Sequence, residues 1–322
     1  GYTNRLALSN ENPPNNDYVL ENDNNASSGL YFPQVSRPIF IGGPYAIEWA
    51  AGRSILNTTL TDSMGPSSGG VSSVVRVYDT LLASGTTYYV GLRPDPGNTS
   101  NLSLTLHSAS QGNWQGRPNA VADAGSTIGP GQPAFVSYNT GSDPQQYDAV
   151  VVLNNNGGAG SYTLYRDTAA PSGSISIDGG AFYTNNPSVT LTLNASNPTA
   201  GDPVMEMAFS TDGVTFGPWQ PFAGTATLTL PGGDGGKNVV VEYRSGAGAV
   251  SAPVSAFITL DTTPPQTTAS LSGTWVAPAT YVGPVQVTLT ANDTLSGVAS
   301  TWYEIDANPF GQIQPYLCLL YT

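Results

Sequence analysis

Ser188-Val189-Thr190-Leu191-Thr192-Leu193 sets Val189, Leu191 and Leu193 on one side of the chain and Ser188, Thr190 and Thr192 on the other. Successive side chains of an extended strand point to opposite faces, so this strict alternation suits a half-buried β-strand and not a helix. The same period recurs in Val285-Gln286-Val287-Thr288-Leu289-Thr290-Ala291, Leu102-Ser103-Leu104-Thr105-Leu106, Thr227-Leu228-Thr229-Leu230 and Val239-Val240-Val241-Glu242-Tyr243. Turn formers separate the runs, as in Asp212-Gly213, Asn156-Gly157-Gly158 and Gly232-Gly233-Asp234-Gly235-Gly236. No stretch of ten or more residues carries a helical period. The chain therefore reads as all-β, in tandem β-sandwich domains.

Composition narrows the function. The 322 residues carry 9 Lys+Arg against 22 Asp+Glu, a net charge of -13, and only 10% are charged. Nine dispersed cations cannot neutralise a phosphate backbone, which excludes a nucleic-acid partner. With 39% hydrophobic residues the chain can fill real cores, and its length predicts two or three domains at roughly 100–200 residues each. The longest apolar run, Tyr316 to Tyr321, falls far short of the roughly 20 residues of a membrane span. Gly1 opens directly in polar sequence, so a leader is expected to have been removed or to lie outside this sequence. Cys318 is the single cysteine, which rules out an intrachain disulfide and a thiolate zinc cluster. Scarce Cys with abundant Ser, Thr, Asn and Gly fits an exported, extracellular protein.

The second half of the chain repeats itself. Asp167-Thr168-Ala169-Ala170-Pro171 matches Asp261-Thr262-Thr263-Pro264-Pro265 at an offset of 94, and Val189-Thr190-Leu191-Thr192 matches Val287-Thr288-Leu289-Thr290 at 98. Phe216-Gly217-Pro218-Trp219-Gln220-Pro221-Phe222 matches Phe310-Gly311-Gln312-Ile313-Gln314-Pro315-Tyr316, again at 94. One repeat spans 167–260 and a second begins at 261. The prolines behind each Asp-Thr stiffen the junctions, because Pro fixes φ and cannot extend a ladder.

These residues carry a resemblance. Met207 to Gly213, Trp219 to Phe222, Gly233 to Val239, Leu260 to Pro265, Asn292 to Val298 and Tyr303 to Asp306 resemble the bacterial Ig-like/fibronectin-III-like repeats of large surface and secreted proteins. The resemblance covers about 167–322 and implies a spacer, adhesive or assembly role without catalytic residues. The chain departs from the pattern at Arg244-Ser245-Gly246-Ala247-Gly248-Ala249-Val250-Ser251, where the usual Asp and Asn are missing. Residues 70–166 resemble pre-peptidase C-terminal β-sandwiches through Val74 to Asp79, Gly85 to Leu92, Asn101 to Leu106 and Gly160 to Leu164. Residues 1–166 are thus one PPC-like region, with an internal break expected near 70–108; the first 69 residues form either a tandem copy or extra strands.

Repeat two reaches Thr322 at the point where repeat one has finished its Trp-Gln-Pro-Phe strand. Counterparts of 225–230, 238–244 and 255–260 are not in the sequence. The region 261–322 is expected to be an incomplete sandwich with an open edge, and Tyr316, Leu317, Cys318, Leu319, Leu320 and Tyr321 are its apolar assembly edge. A fragment of a longer chain and completion by a neighbouring subunit both account for this.

Chemical sites are few. His107, the only histidine, follows Ser103 and Thr105 on the polar face of a strand and is expected in solvent. No Gly-x-Ser-x-Gly elbow accompanies it, so no catalytic residue is assigned. Oxygen-rich loops at Asp23, Asp143 and Asp148 are candidate calcium ligands, since hard cations take oxygen donors. Six sequons are candidate glycosylation sites: Asn25, Asn57, Asn98, Asn101, Asn194 and Asn292, with the Asn98/Asn101 loop the foremost target. Trp49, Trp114, Trp219, Trp275 and Trp302 are expected in core or corner packing rather than in a glycan platform. The expectation is an extracellular structural protein that associates with copies of itself in a cell-surface filament, sheath or layer. The alternative is a non-catalytic adhesive or glycan-binding accessory region of a larger secreted enzyme or adhesin.

Overall fold

The computed structural model describes residues 54–65, 75–110, 120–125, 129–155, 158–276, 280–303 and 314–316. Strands β1 (Ser54–Ile55), β3 (Val75–Leu82), β8 (Gln146–Asn154), β5 (Leu102–His107) and β6 (Ala122–Asp123) form one sheet in that spatial order. Strands β2 (Thr59–Met64), β9 (Gly160–Asp167), β4 (Thr87–Pro94) and β7 (Ala134–Asn139) form the facing sheet. Tyr78, Leu104, Leu106, Val150 and Val152 meet Val90, Leu92, Val136, Tyr162 and Leu164 between them. Strands β1 and β2 belong to these two sheets, so residues 54–64 are extra strands of this sandwich, not a second copy of it.

The polar side of β5 is covered as well. Ser103, Thr105 and His107 stand opposite Leu153, Val151 and Ala149 of β8, and all six are buried. Alternation in β5 thus separates two interiors, one aliphatic and one mixed. His107 is 1% exposed, which corrects its expected place in solvent. Burial pushes its imidazole down to about 4 against a smaller opposing pull from Asp123.

The second sandwich runs from β10 (Ser172–Ile177) through a 3-10 turn at Asp178–Gly180 to β11 (Tyr183–Thr184) and β12 (Ser188–Ser196). It continues through β13 (Val204–Ser210), β14 (Gln220–Pro221), β15 (Thr225–Thr229), β16 (Gly235–Ser245) and β17 (Val254–Leu260). The sheet β10-β12-β15 packs on β11-β17-β16-β13-β14. The alternation at 188–193 buries Val189, Leu191 and Leu193 against Val239, Val241, Tyr243, Ile258 and Leu260. Each such aliphatic side chain contributes roughly 1.5–3 kcal/mol on full burial.

Beyond it, β18 (Gln266–Val276) and β19 (Thr280–Asn292) make a long two-stranded hairpin, and β20 (Thr301–Tyr303) pairs with β21 (Gln314–Tyr316). Pairs Ala269/Leu289 and Leu271/Val287 share one face of the hairpin, Ser270/Thr288 and Thr268/Thr290 the other. Leu271 is 53% and Val287 48% exposed, whereas their repeat-one counterparts Ile177 and Val189 are 2% and 1% exposed. In repeat one the sheet carrying β16 and β17 covers that face; no counterpart of β15, β16 or β17 occurs among the described residues of repeat two. Tyr316 ends β21, and Leu317, Cys318, Leu319, Leu320 and Tyr321 lie outside the described residues.

Candidate functional site: the joint between the sandwiches

The first sandwich presents a notch on the outer face of its four-stranded sheet. Val90 and Leu92 of β4 point into the core, so Gly91 between them points out. The register places Phe135 of β7 and Tyr165 of β9 on either side of it. With no side chain on Gly91, the notch admits backbone. The occupant is the turn that follows β16, Ser245 to Gly248. A Cβ built on Gly91 would lie 2.2 Å from the Gly246 carbonyl oxygen, and one on Gly248 would lie 2.4 Å from the Phe135 ring. The turn is closed on itself, Ser245 N donating to Ala249 O at 3.0 Å, and tied to its own domain by Gly246 N to Pro203 O at 3.0 Å. Ala247, within the turn, is fully buried.

Charge fixes the orientation. Arg93 donates to Gly246 O (3.1 Å), Ser245 O (3.0 Å) and Glu206 Oε2 (2.6 Å) across the joint. Arg244 bonds the same Glu206 oxygen at 2.8 Å from within the second sandwich. Both guanidinium groups lie over the Phe135 ring, at 4.9 and 4.6 Å, and Arg244 also stacks on Trp219 at 4.2 Å. The side chains of Arg93, Glu206 and Arg244 are only 13%, 16% and 15% exposed, so solvent screens them little. Burial draws the Arg244 guanidinium below its usual value, and Glu206 opposes that and keeps it charged.

The linker itself is clamped. Asp167, at the end of β9, accepts bonds from Thr168 N (2.6 Å), Ala169 N (2.9 Å) and the Thr199 hydroxyl. Asn197 Nδ2 donates to Asp167 Oδ2 at 2.8 Å and Asp202 Oδ2 at 3.1 Å. Asp202 Oδ1 accepts from Ala247 N at 3.0 Å, and Thr59 of β2 donates to Gly201 O at 2.5 Å. Both carboxylates are buried. Burial pushes Asp202 up to about 6. At Asp167 burial acts the same way, but the donors Thr199, Ala169 and Asn197 outweigh it and hold the group below its usual range. The next linker follows the same plan. Asp261 accepts from Ser296 N at 2.9 Å, while Asp234 takes Thr262 N at 2.8 Å and both Thr262 and Thr263 hydroxyls.

Apart from Trp219, which packs on Arg244 at the joint, the residues singled out in the sequence lie elsewhere. Asp143 and Asp148 do approach each other: Asp143 accepts from Tyr138 OH (2.5 Å) and Ser108 Oγ (3.0 Å), and Asp148 Oδ1 accepts from Ala109 N (2.8 Å). Among the described residues no group of three or more His, Cys, Asp or Glu is placed to hold a metal. Asp23 and Asn25 lie outside the described residues. Asn98 is not on an open loop. It is 8% exposed, donates Nδ2 to Ser161 O at 2.6 Å and accepts from Ser100 N at 2.7 Å. Asn101 is half-buried and accepts from Gly129 N at 3.2 Å. Asn57, Asn194 and Asn292 are exposed. Trp275 and Trp302 are 60% and 58% exposed, contrary to the packing expected; among the described residues no second sheet stands over the hairpin. Trp49 and Trp114 lie outside the described residues.

Apart from Trp219, none of the joint residues was a sequence candidate, although two signals were present. A lone glycine inside the strand Tyr88-Tyr89-Val90-Gly91-Leu92 marks a close approach of other backbone. The departure at 244–251 is the turn that fills the notch.

No protein-family model and no curated protein matches the chain. Solved structures do. The pre-peptidase C-terminal domain of a Bacillus anthracis collagenase is 20% identical over 38% of this chain and 100% of its own, with a TM-score of 0.27. The fibronectin(III)-like modules of Clostridium thermocellum CbhA are 12% identical over 56% and 93%, also at 0.27. The adhesin domain of Epf from Streptococcus pyogenes is 10% identical over 63% and 78%, at 0.22. The β-sandwich fold itself is established by the facing sheets of this chain. Among the described residues no helix is long and apolar enough to cross a membrane.

Proposed function

We propose that this chain is a non-catalytic accessory region of an extracellular multidomain protein, a stiff tandem of sandwiches that holds neighbouring modules at a set distance and angle. The observation that carries the reading is the Arg93–Glu206–Arg244 cluster seated with the 245–248 turn in the Gly91 notch. A flexible tether needs none of this. A glycine notch, a shared carboxylate and a clamped linker all restrict rotation between the sandwiches, and a spacer works through that restriction. The test is small-angle X-ray scattering and 15N relaxation on the whole chain. The first two sandwiches should share one rotational correlation time, and independent tumbling would refute the reading.

A second reading, a subunit that polymerises through strand exchange, is favoured by the uncovered hairpin face of Leu271, Trp275 and Val287. Sedimentation should then show concentration-dependent association that Leu271→Ser abolishes.

A further inference from the structure

The joint brings together two carboxylates from different sandwiches. Asp167 and Asp202 are 2% and 1% exposed and are bridged by one amide, Asn197 Nδ2. The charged groups facing them are few. Arg166 stands beside Asp167 but spends its guanidinium on Leu81 O at 2.7 Å and on the face of Tyr88. Arg93 and Arg244 are committed to Glu206. The Tyr165 ring and Asp202 Oδ1 both border Gly246, and burial raises the Tyr165 hydroxyl, with Arg93 opposing and Asp202 adding to the shift. Two buried carboxylates bridged by a single amide cannot both ionise cheaply, so one of them holds its proton to higher pH than an isolated carboxyl does. Asp167 receives four donors and ionises first; Asp202, with the Asn197 amide, Ala247 N and the Ser245 hydroxyl beside it, is the one that holds the proton longer because its burial outweighs them.

We propose that a proton held on Asp202 beside Asp167 closes the joint between the two sandwiches, so that docking is stronger in mildly acidic surroundings than at neutral pH. This rests on the docked joint described above and adds its regulation. The docked state raises the Asp202 proton affinity from its ordinary 3.8 to about 6. Protons therefore favour docking as pH falls through about 6, and that contribution disappears above it. If undocking restores the ordinary value, the docking constant falls about tenfold between pH 5 and pH 7. Asp167 has the opposite sign, but its ionisation is lost only at strongly acidic pH.

The experiment is 15N relaxation of the whole chain at about pH 5 and about pH 7.5, with far-UV circular dichroism to confirm that both sandwiches stay folded. Tighter coupling at the lower pH supports the proposal. Asp202→Asn, which mimics the protonated group, should remain docked at both values. Should that variant fail to fold, Asp167→Asn decides instead: removing the neighbouring charge must move the midpoint downward. Coupling that is equal and strong at both pH values, a pH response that survives Asp202→Asn, or a midpoint unmoved by Asp167→Asn overturns the proposal and leaves the spacer standing. Independent tumbling at both values sinks the spacer itself.

Discussion

Replacing Arg93 by Ala removes the one side chain of the first sandwich that reaches Glu206 across the joint. Three charge-assisted hydrogen bonds go, to Glu206, Ser245 O and Gly246 O, together with the contact over Phe135. Such bonds are worth about 1.5–3 kcal/mol each but are not additive, and breaking a largely buried ion pair costs about 3–5 kcal/mol. At 13% and 16% exposure the lower end applies, so docking should weaken by about 3 kcal/mol, roughly a hundredfold. Glu206 keeps Arg244, its cross-strand neighbour, so the second sandwich should hold its own stability. The assay is thermal unfolding followed separately in the two sandwiches, with 15N relaxation at about pH 5, where wild-type docking is strongest. Wild type should unfold with coupled transitions and Arg93→Ala with separated ones and two correlation times. If the variant keeps a single coupled transition and one correlation time, the cluster does not hold the joint, and the magnitude above is wrong in kind.

Gly91→Ala should undock the sandwiches by steric clash without opening either core, since the new methyl would meet Gly246 O; a variant that scatters like wild type would mean the turn can retreat from the notch. The His107 ring should show no titration between about pH 7 and pH 5 by NMR, because its burial holds the imidazole neutral; an inflection near 6.5 would mean the covered face is open. As the unfolded chain takes up this proton first, His107 costs stability as pH falls from about 6.5 toward 4, opposite in sign to Asp202. Expressed in a glycosylating host, the chain should carry sugar at Asn57, Asn194 or Asn292 and not at Asn98, read by peptide mass spectrometry; occupancy of Asn98 would require its bond to Ser161 O to break.

Much of the architecture was legible in linear order. The alternation at 188–193 and 102–106 determined strands, the offset of 94 exposed the repeat, and Asp-Thr-x-x-Pro located the linkers. These are local features: a period of two follows from the geometry of a single extended chain. What no period could report was which polar face meets solvent. Ser103, Thr105 and His107 alternate like a wet face and are buried, because a sheet can be covered on both sides. Leu271 and Val287 alternate like a core and are exposed, because burial needs a second sheet as well as an apolar one. The joint was least visible of all. Arg93, Glu206 and the 245–248 turn are separated by more than a hundred residues on one side, and only the docking of two finished sandwiches gives them a shared carboxylate and a common notch. The sequence alone determined the strands, the repeat and the places of the linkers, while tertiary structure decided where charge is buried, since proximity across domains is a property of the packed chain and not of its order.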